Sequence, residues 1–141
     1  MTTDRLSDGY EPDFDVDIEF GAQGELYVMG IINELKSGSV EVKNDAMASK
    51  FRNVYIECSC ERRDGWHRSG IRTTGADFWA HILAGEVVVI APTERWRNLA
   101  KRHWGDPNYE RDMPRGSHPT RGLVFPLSRL LTELMAEDGD Q

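Results

Sequence analysis

The chain has 141 residues, 39% of them hydrophobic, enough for one domain with its own core. No apolar run approaches the ~18 residues of a membrane span, and no secretory leader pattern opens the sequence. A cytoplasmic protein with no membrane partner is therefore expected. The formal net charge of -7 argues against a protein that simply coats nucleic acid.

Residues 1–12 are polar and are expected to be disordered. A single domain over 13–136 and an acidic tail over 137–141 should follow. Phe14, Val16, Ile18 and Phe20 alternate with Asp13, Asp15, Asp17 and Glu19, a period of two that predicts a half-buried strand with an acidic face. The Gly21–Gly24 stretch reads as a turn. Val28, Ile31, Ile32 and Leu35 then fall at helical spacing, predicting a helix from about Gly24 to Lys36. Ser37-Gly38-Ser39 ends it.

Strands follow at about 39–45 and 53–60. Asp64-Gly65 reads as a turn, and the Arg- and Ser/Thr-rich segment to Thr74 reads as a loop. Thr73 or Thr74 could cap a helix to about Leu83, carrying Phe78, Trp79, Ile82 and Leu83 on one side. The apolar run from Glu86 to Ala91 predicts a buried strand. A helix over about 93–103 comes next, with Trp96, Leu99 and Ala100 inward. Residues 104–121 read as a Pro/Gly/Arg-rich loop, Leu123–Phe125 as a short strand, and Leu127 to Met135 as a last helix. The alternation predicts an α/β sandwich on a mixed sheet.

The charge is unevenly placed. Residues 50–121 hold 13 Lys/Arg against 9 Asp/Glu, a balance of +4; the rest holds 4 against 15, a balance of -11. A basic central stretch can still meet phosphates, and a metal site should be acid-rich before its ion binds. Cys58 and Cys60 stand two apart on one predicted strand, a poor geometry for a disulfide. They lack the second close ligand pair of a zinc site and read as ordinary thiols.

The most informative run is Glu41-Val42-Lys43-Asn44-Asp45, followed by Val54-Tyr55-Ile56-Glu57. Side chains alternate across a strand, so Glu41, Lys43 and Asp45 can share one face. Glu57, Ser59 and Tyr55 can share a face of the second strand. Three carboxylates and an ammonium at one point suit a hard cation with oxygen ligands beside a group that steadies developing negative charge.

In the order of these elements and in Gly24-Glu25, Glu41-Val42-Lys43-x-Asp45, Tyr55-Ile56-Glu57 and Ser69-Gly70-Ile71-x-Thr73-Thr74-x-Ala76-Asp77, the chain resembles the PD-(D/E)XK nuclease superfamily, in particular short phage-encoded members. The resemblance spans roughly residues 16–127. It implies a restriction-endonuclease-like αβββαβ sandwich, with a central mixed sheet flanked by helices. The implied activity is Mg²⁺-dependent hydrolysis of phosphodiester bonds in DNA, Mn²⁺ substituting, with a homodimer as one way to cut both strands. Asp45 and Glu57 would bind the metal, and Glu25 would orient or share it. The lysine of the signature would stand at Ser59. Lys43, two residues before Asp45, would replace it, and Glu41 would relay a proton or water. A literal register, Pro12-Asp13 with Glu41-Val42-Lys43, matches the signature letter by letter but separates elements that the superfamily keeps adjacent.

Each feature also has a plainer reading. Glu41, Lys43 and Asp45 could be the charged face of an edge strand, and Glu25 could favour a helix dipole. Ser69, Thr73 and Thr74, with Arg68 and Arg72, could contact phosphates or form a capped loop. Arg97 and Lys101, interleaved with Trp96 and Trp104, could face nucleic acid, although Trp96 fits a core position. Two other functions stay open: a nuclease-like module that binds nucleic acid or protein without cleaving, suggested by Ser59, and an acidic DNA mimic, suggested by the charge.

Overall fold

A computed structural model describes residues 14–45, 48–83, 85, 87–114, 116 and 118–137. Residues 1–13, Arg115 and the end of the acidic tail lie outside the described residues, and with them the expected disorder of 1–12 and the Pro12-Asp13 pair. The chain divides into two units, Met1–Ser37 and Gly38–Gln141.

The first unit contains helix α1 (Phe14–Ser37). The strand expected over 13–20 is instead helical from Phe14 on, and the helix expected from Gly24 is its continuation. Glu25 therefore sits mid-helix, not in a first turn. Ile18, Phe20, Leu26, Tyr27, Val28 and Met29 are all exposed. Alternation of apolar and acidic residues signals a strand only where one face is buried, and Ile18, Glu19 and Phe20 are all exposed. No helix among the described residues is long and apolar enough to cross a membrane.

The second unit is mixed α/β. It runs β1 (Val40–Asp45), α2 (Ala48–Phe51), β2 (Asn53–Arg62), β3 (Gly65–Arg68), a single 3₁₀ turn (Gly70–Arg72), β4 (Phe78–Leu83) and β5 (Val87–Pro92). It continues with α3 (Thr93–His103), β6 (Glu110–Met113), β7 (Thr120–Pro126) and α4 (Leu127–Met135). The strands form two sheets rather than one: β1-β4-β5, and β3-β2-β7-β6. In the first, β1 is parallel to β4 with Lys43 opposite His81, and β5 is antiparallel to β4. The second is antiparallel throughout.

The helix expected over Thr74–Leu83 is strand β4. Trp79, Ala80 and His81 are consecutive and all buried, as in a central strand covered on both faces. The Asp64-Gly65 turn folds β3 back on β2, and β6 arises inside the stretch read as loop. The core gathers Val54, Ile56 and Cys58 of β2, Leu123 and Phe125 of β7, Trp79 of β4, Trp96 and Leu99 of α3, and Leu130 and Leu134 of α4.

Candidate functional site

Strand β1 is an edge strand whose residues 41, 43 and 45 are half-buried while 42 and 44 are exposed. Glu41, Lys43 and Asp45 thus share a face, as alternation requires. Lys43 Nζ lies 2.7 Å from Glu41 Oε1 and 5.2 Å from the centroid of the Trp79 ring. Lys43, Asp45 and, from the other sheet, Tyr55 and Glu57 line one cavity of about 190 Å³ with Asn44, Trp79 and His81.

Asp45 is held on several sides. Its Oδ2 accepts the Tyr55 backbone N–H at 2.9 Å and faces His81 Nε2 at 3.3 Å. His81 is buried, and the N–H of Trp79 donates to its Nδ1 at 3.2 Å. An indole nitrogen only donates, so Nδ1 carries the lone pair and the proton sits on Nε2, toward Asp45. Burial lowers the His81 pKa, against the opposing pull of Asp45, and favours the neutral ring. The imidazole stacks on Trp96, centroids 5.4 Å apart. His81 is not legible in the sequence, where its segment reads as a helix; strand register opposite Lys43 is what brings it to Asp45.

Glu57 Oε1 accepts a 2.6 Å hydrogen bond from Ser69 Oγ, and the Ser69 N–H donates to Cys58 O at 3.0 Å. Gly70 follows with φ of +55°. A Cβ there would stand 2.2 Å from Glu57 O, so only glycine lets the 3₁₀ turn press against β2. Ile71 then enters the core. The Ser69-Gly70-Ile71 motif thereby clamps Glu57.

Ser59 does not share the face of Glu57, contrary to simple alternation. Glu57 pairs with Gly122 but Ser59 pairs with Arg121, one partner for two steps. This β-bulge at Cys58 turns Ser59 to the opposite face, where it is buried and Arg72 Nη1 donates to its Oγ at 3.4 Å. The phenol of Tyr55 bonds Thr120 Oγ1 at 2.8 Å and is pushed up to about 12 by burial. It is no base at neutral pH.

The residues expected to meet nucleic acid separate into two groups. Arg68, Arg72, Arg97 and Lys101 line a second cavity, described below. Ser69 is engaged by Glu57. Thr73 and Thr74 do not cap a helix: Thr73 Oγ1 bonds Gly70 O, and Thr74 Oγ1 accepts the Ala76 N–H at 3.2 Å. Glu25 lies on α1, in the other unit. Among the described residues no three His, Cys, Asp or Glu side chains gather as a ready metal cluster. Compared with protein-family models, curated proteins and solved structures, the chain matches none.

Proposed function

We propose that the second unit is a metal-dependent nuclease acting on DNA, of the PD-(D/E)XK type, with Lys43, Asp45 and Glu57 at its reactive centre. The observation carrying this reading is that these three side chains, from two strands in different sheets, line one cavity. Mg²⁺ binds through one or two carboxylates and keeps most of its waters, so Asp45 and Glu57 fit that donor set. The bound ion would lower the pKa of a coordinated water and neutralise the phosphate.

The chain's own residues do the rest. Tyr55 N–H and His81 orient Asp45, and Ser69 orients Glu57. Lys43 is the cation available to a phosphoryl oxygen, with Glu41 holding it when no substrate is present. The Trp79 ring gives Lys43 an apolar, polarisable wall. Ser59, where the signature expects lysine, faces away from the cavity, which leaves that role to Lys43. The mixed sheet β1-β4-β5, followed by α3, is the part of the fold this reading draws on.

A second reading rests on the same Ser59: a nuclease-like module that binds DNA without cleaving it. Cleavage of plasmid DNA separates the two. Nicking that requires Mg²⁺ or Mn²⁺ and is lost in Asp45→Ala and Glu57→Ala supports the nuclease. Salt-sensitive binding with no cleavage under any divalent ion supports the module.

A further inference from the structure

Between α3 and the Arg68–Arg72 segment lies a cavity of about 380 Å³, within the ~300–1,000 Å³ of small-molecule sites. Its apolar lining is Cys58, Ile71 and Ala100; its cations are Arg68, Arg72, Arg97 and Lys101; its aromatic wall is Trp104. Among the described residues no carboxylate lines it. The Cys58 thiol is pushed up to about 12, by burial first and against the field of Arg72, so the floor stays uncharged.

The four cations are not equivalent. Arg97 Nε donates to Ile71 O at 3.0 Å, and its Nη2 donates to Thr74 O. It builds the wall. Lys101 lies 3.8 Å from Glu94, a loose surface pair. The guanidinium carbon of Arg72 stands 5.5 Å from the centroid of Trp104. The Arg68 guanidinium has no hydrogen bond or ion pair among the described residues. Trp104, just past the end of α3, is 38% exposed and carries the Arg72 guanidinium over its ring.

We propose that this cavity holds an unpaired nucleotide of a single-stranded DNA segment, its base against Trp104 and its phosphates on Arg68, Arg72 and Lys101. An indole with a guanidinium over its ring, set in a cationic hollow, is the chemistry by which proteins hold single strands. A base stacked inside a duplex cannot enter such a hollow without leaving its stack. A duplex would need only phosphate contacts and would leave the Trp104 indole unused. Glu57 lines the proposed reactive centre and Cys58, the next residue, lines this cavity from the opposite face of β2. The inference rests on the DNA reading above and adds the substrate class: a single strand, or a duplex with an unpaired flap.

The test is fluorescence anisotropy in EDTA, where cleavage is blocked, with one labelled 15-mer offered as a single strand and as a duplex. The single strand should bind at least about tenfold tighter. Trp104→Ala should weaken it about tenfold and Trp104→Phe much less, as stacking requires. Arg68→Ala should reduce the slope of log affinity against log salt by about 0.7, the value for one phosphate contact on a single strand. Equal affinity for both forms, or single-strand binding indifferent to Trp104→Ala and Arg68→Ala, overturns the proposal. Nicking activity is scored separately. Single-strand binding without cleavage sinks the nuclease and leaves this cavity's role standing; cleavage with binding indifferent to Trp104 does the reverse.

Discussion

His81 Nε2 faces Asp45 Oδ2 at 3.3 Å from a ring whose other nitrogen accepts the Trp79 N–H. The tautomer is set by the tryptophan, and the carboxylate is oriented by the tautomer. His81 is a positioning residue, acting on the site through Asp45. His81→Ala would strand a buried indole N–H and open a cavity beside Trp96, at a cost of about 2–4 kcal/mol in urea unfolding. His81→Gln keeps a donor for Asp45 and should recover part of the activity. In both variants kcat should fall while KM stays near wild type; an unchanged kcat in folded His81→Ala would remove His81 from the account.

Lys43 should be the cation that the reaction needs. Lys43→Ala should lower cleavage by at least about a hundredfold, the scale of losing one charge-stabilising group. Restoring the signature lysine should not rescue it. The bulge turns position 59 away from the cavity, so Ser59→Lys in the Lys43→Ala background would bury an ammonium beside Arg72. That double variant should be less stable and remain inactive. Recovered cleavage would mean that position 59 reaches the site after all.

Gly70 is required twice, by its φ of +55° and by the 2.2 Å approach its Cβ would make to Glu57 O. Gly70→Ala should cost at least about 2 kcal/mol in urea unfolding. It should also reduce activity beyond that of Ser69→Ala, which removes only one hydrogen bond to Glu57. A Gly70→Ala protein as stable as wild type would contradict the close packing of the 3₁₀ turn on β2.

The two thiols should behave differently. Cys58 is buried and its S–H donates to Ile56 O at 3.5 Å, whereas Cys60 is half-buried. At pH 8 a thiol reagent should label Cys60 first and Cys58 only on unfolding. The folded pKa of Cys58, about 12, lies above its ordinary 9.0, and Tyr55 rises from 10.0 to about 12. An acid with a raised folded pKa contributes stability that is whole below its unfolded value and is lost as pH climbs past it. Stability should therefore decline between about pH 9 and 12, and Cys58→Ala should flatten that decline. A decline of the same depth in the variant would assign it elsewhere.

Where one face of an element is buried, the sequence spoke clearly. α3 and α4 occupy the predicted spans because Trp96, Leu99 and Ala100, and then Leu130 and Leu134, point one way. β1 and β2 were legible from their alternation, and so was the shared face of Glu41, Lys43 and Asp45. β4 was not: Phe78, Trp79, Ile82 and Leu83 fit a helical stripe, and a strand buried on both faces has no alternation to reveal it. That one misreading hid His81. The bulge at Cys58 was equally invisible, since an extra residue in a ladder depends on the partner strand β7. β6 is a charged four-residue edge strand, Glu110–Met113, and carries almost no apolar signal of its own.

The claim that Asp45, Glu57 and Lys43 form a metal-dependent centre is tested most directly by crystals of the full chain soaked in Mn²⁺ and read by anomalous scattering. One ion bridged between the carboxylates of Asp45 and Glu57, with Lys43 facing the same cavity, is the predicted result. A saturating soak that leaves those carboxylates without an ion, or places it only elsewhere on the surface, would contradict the account.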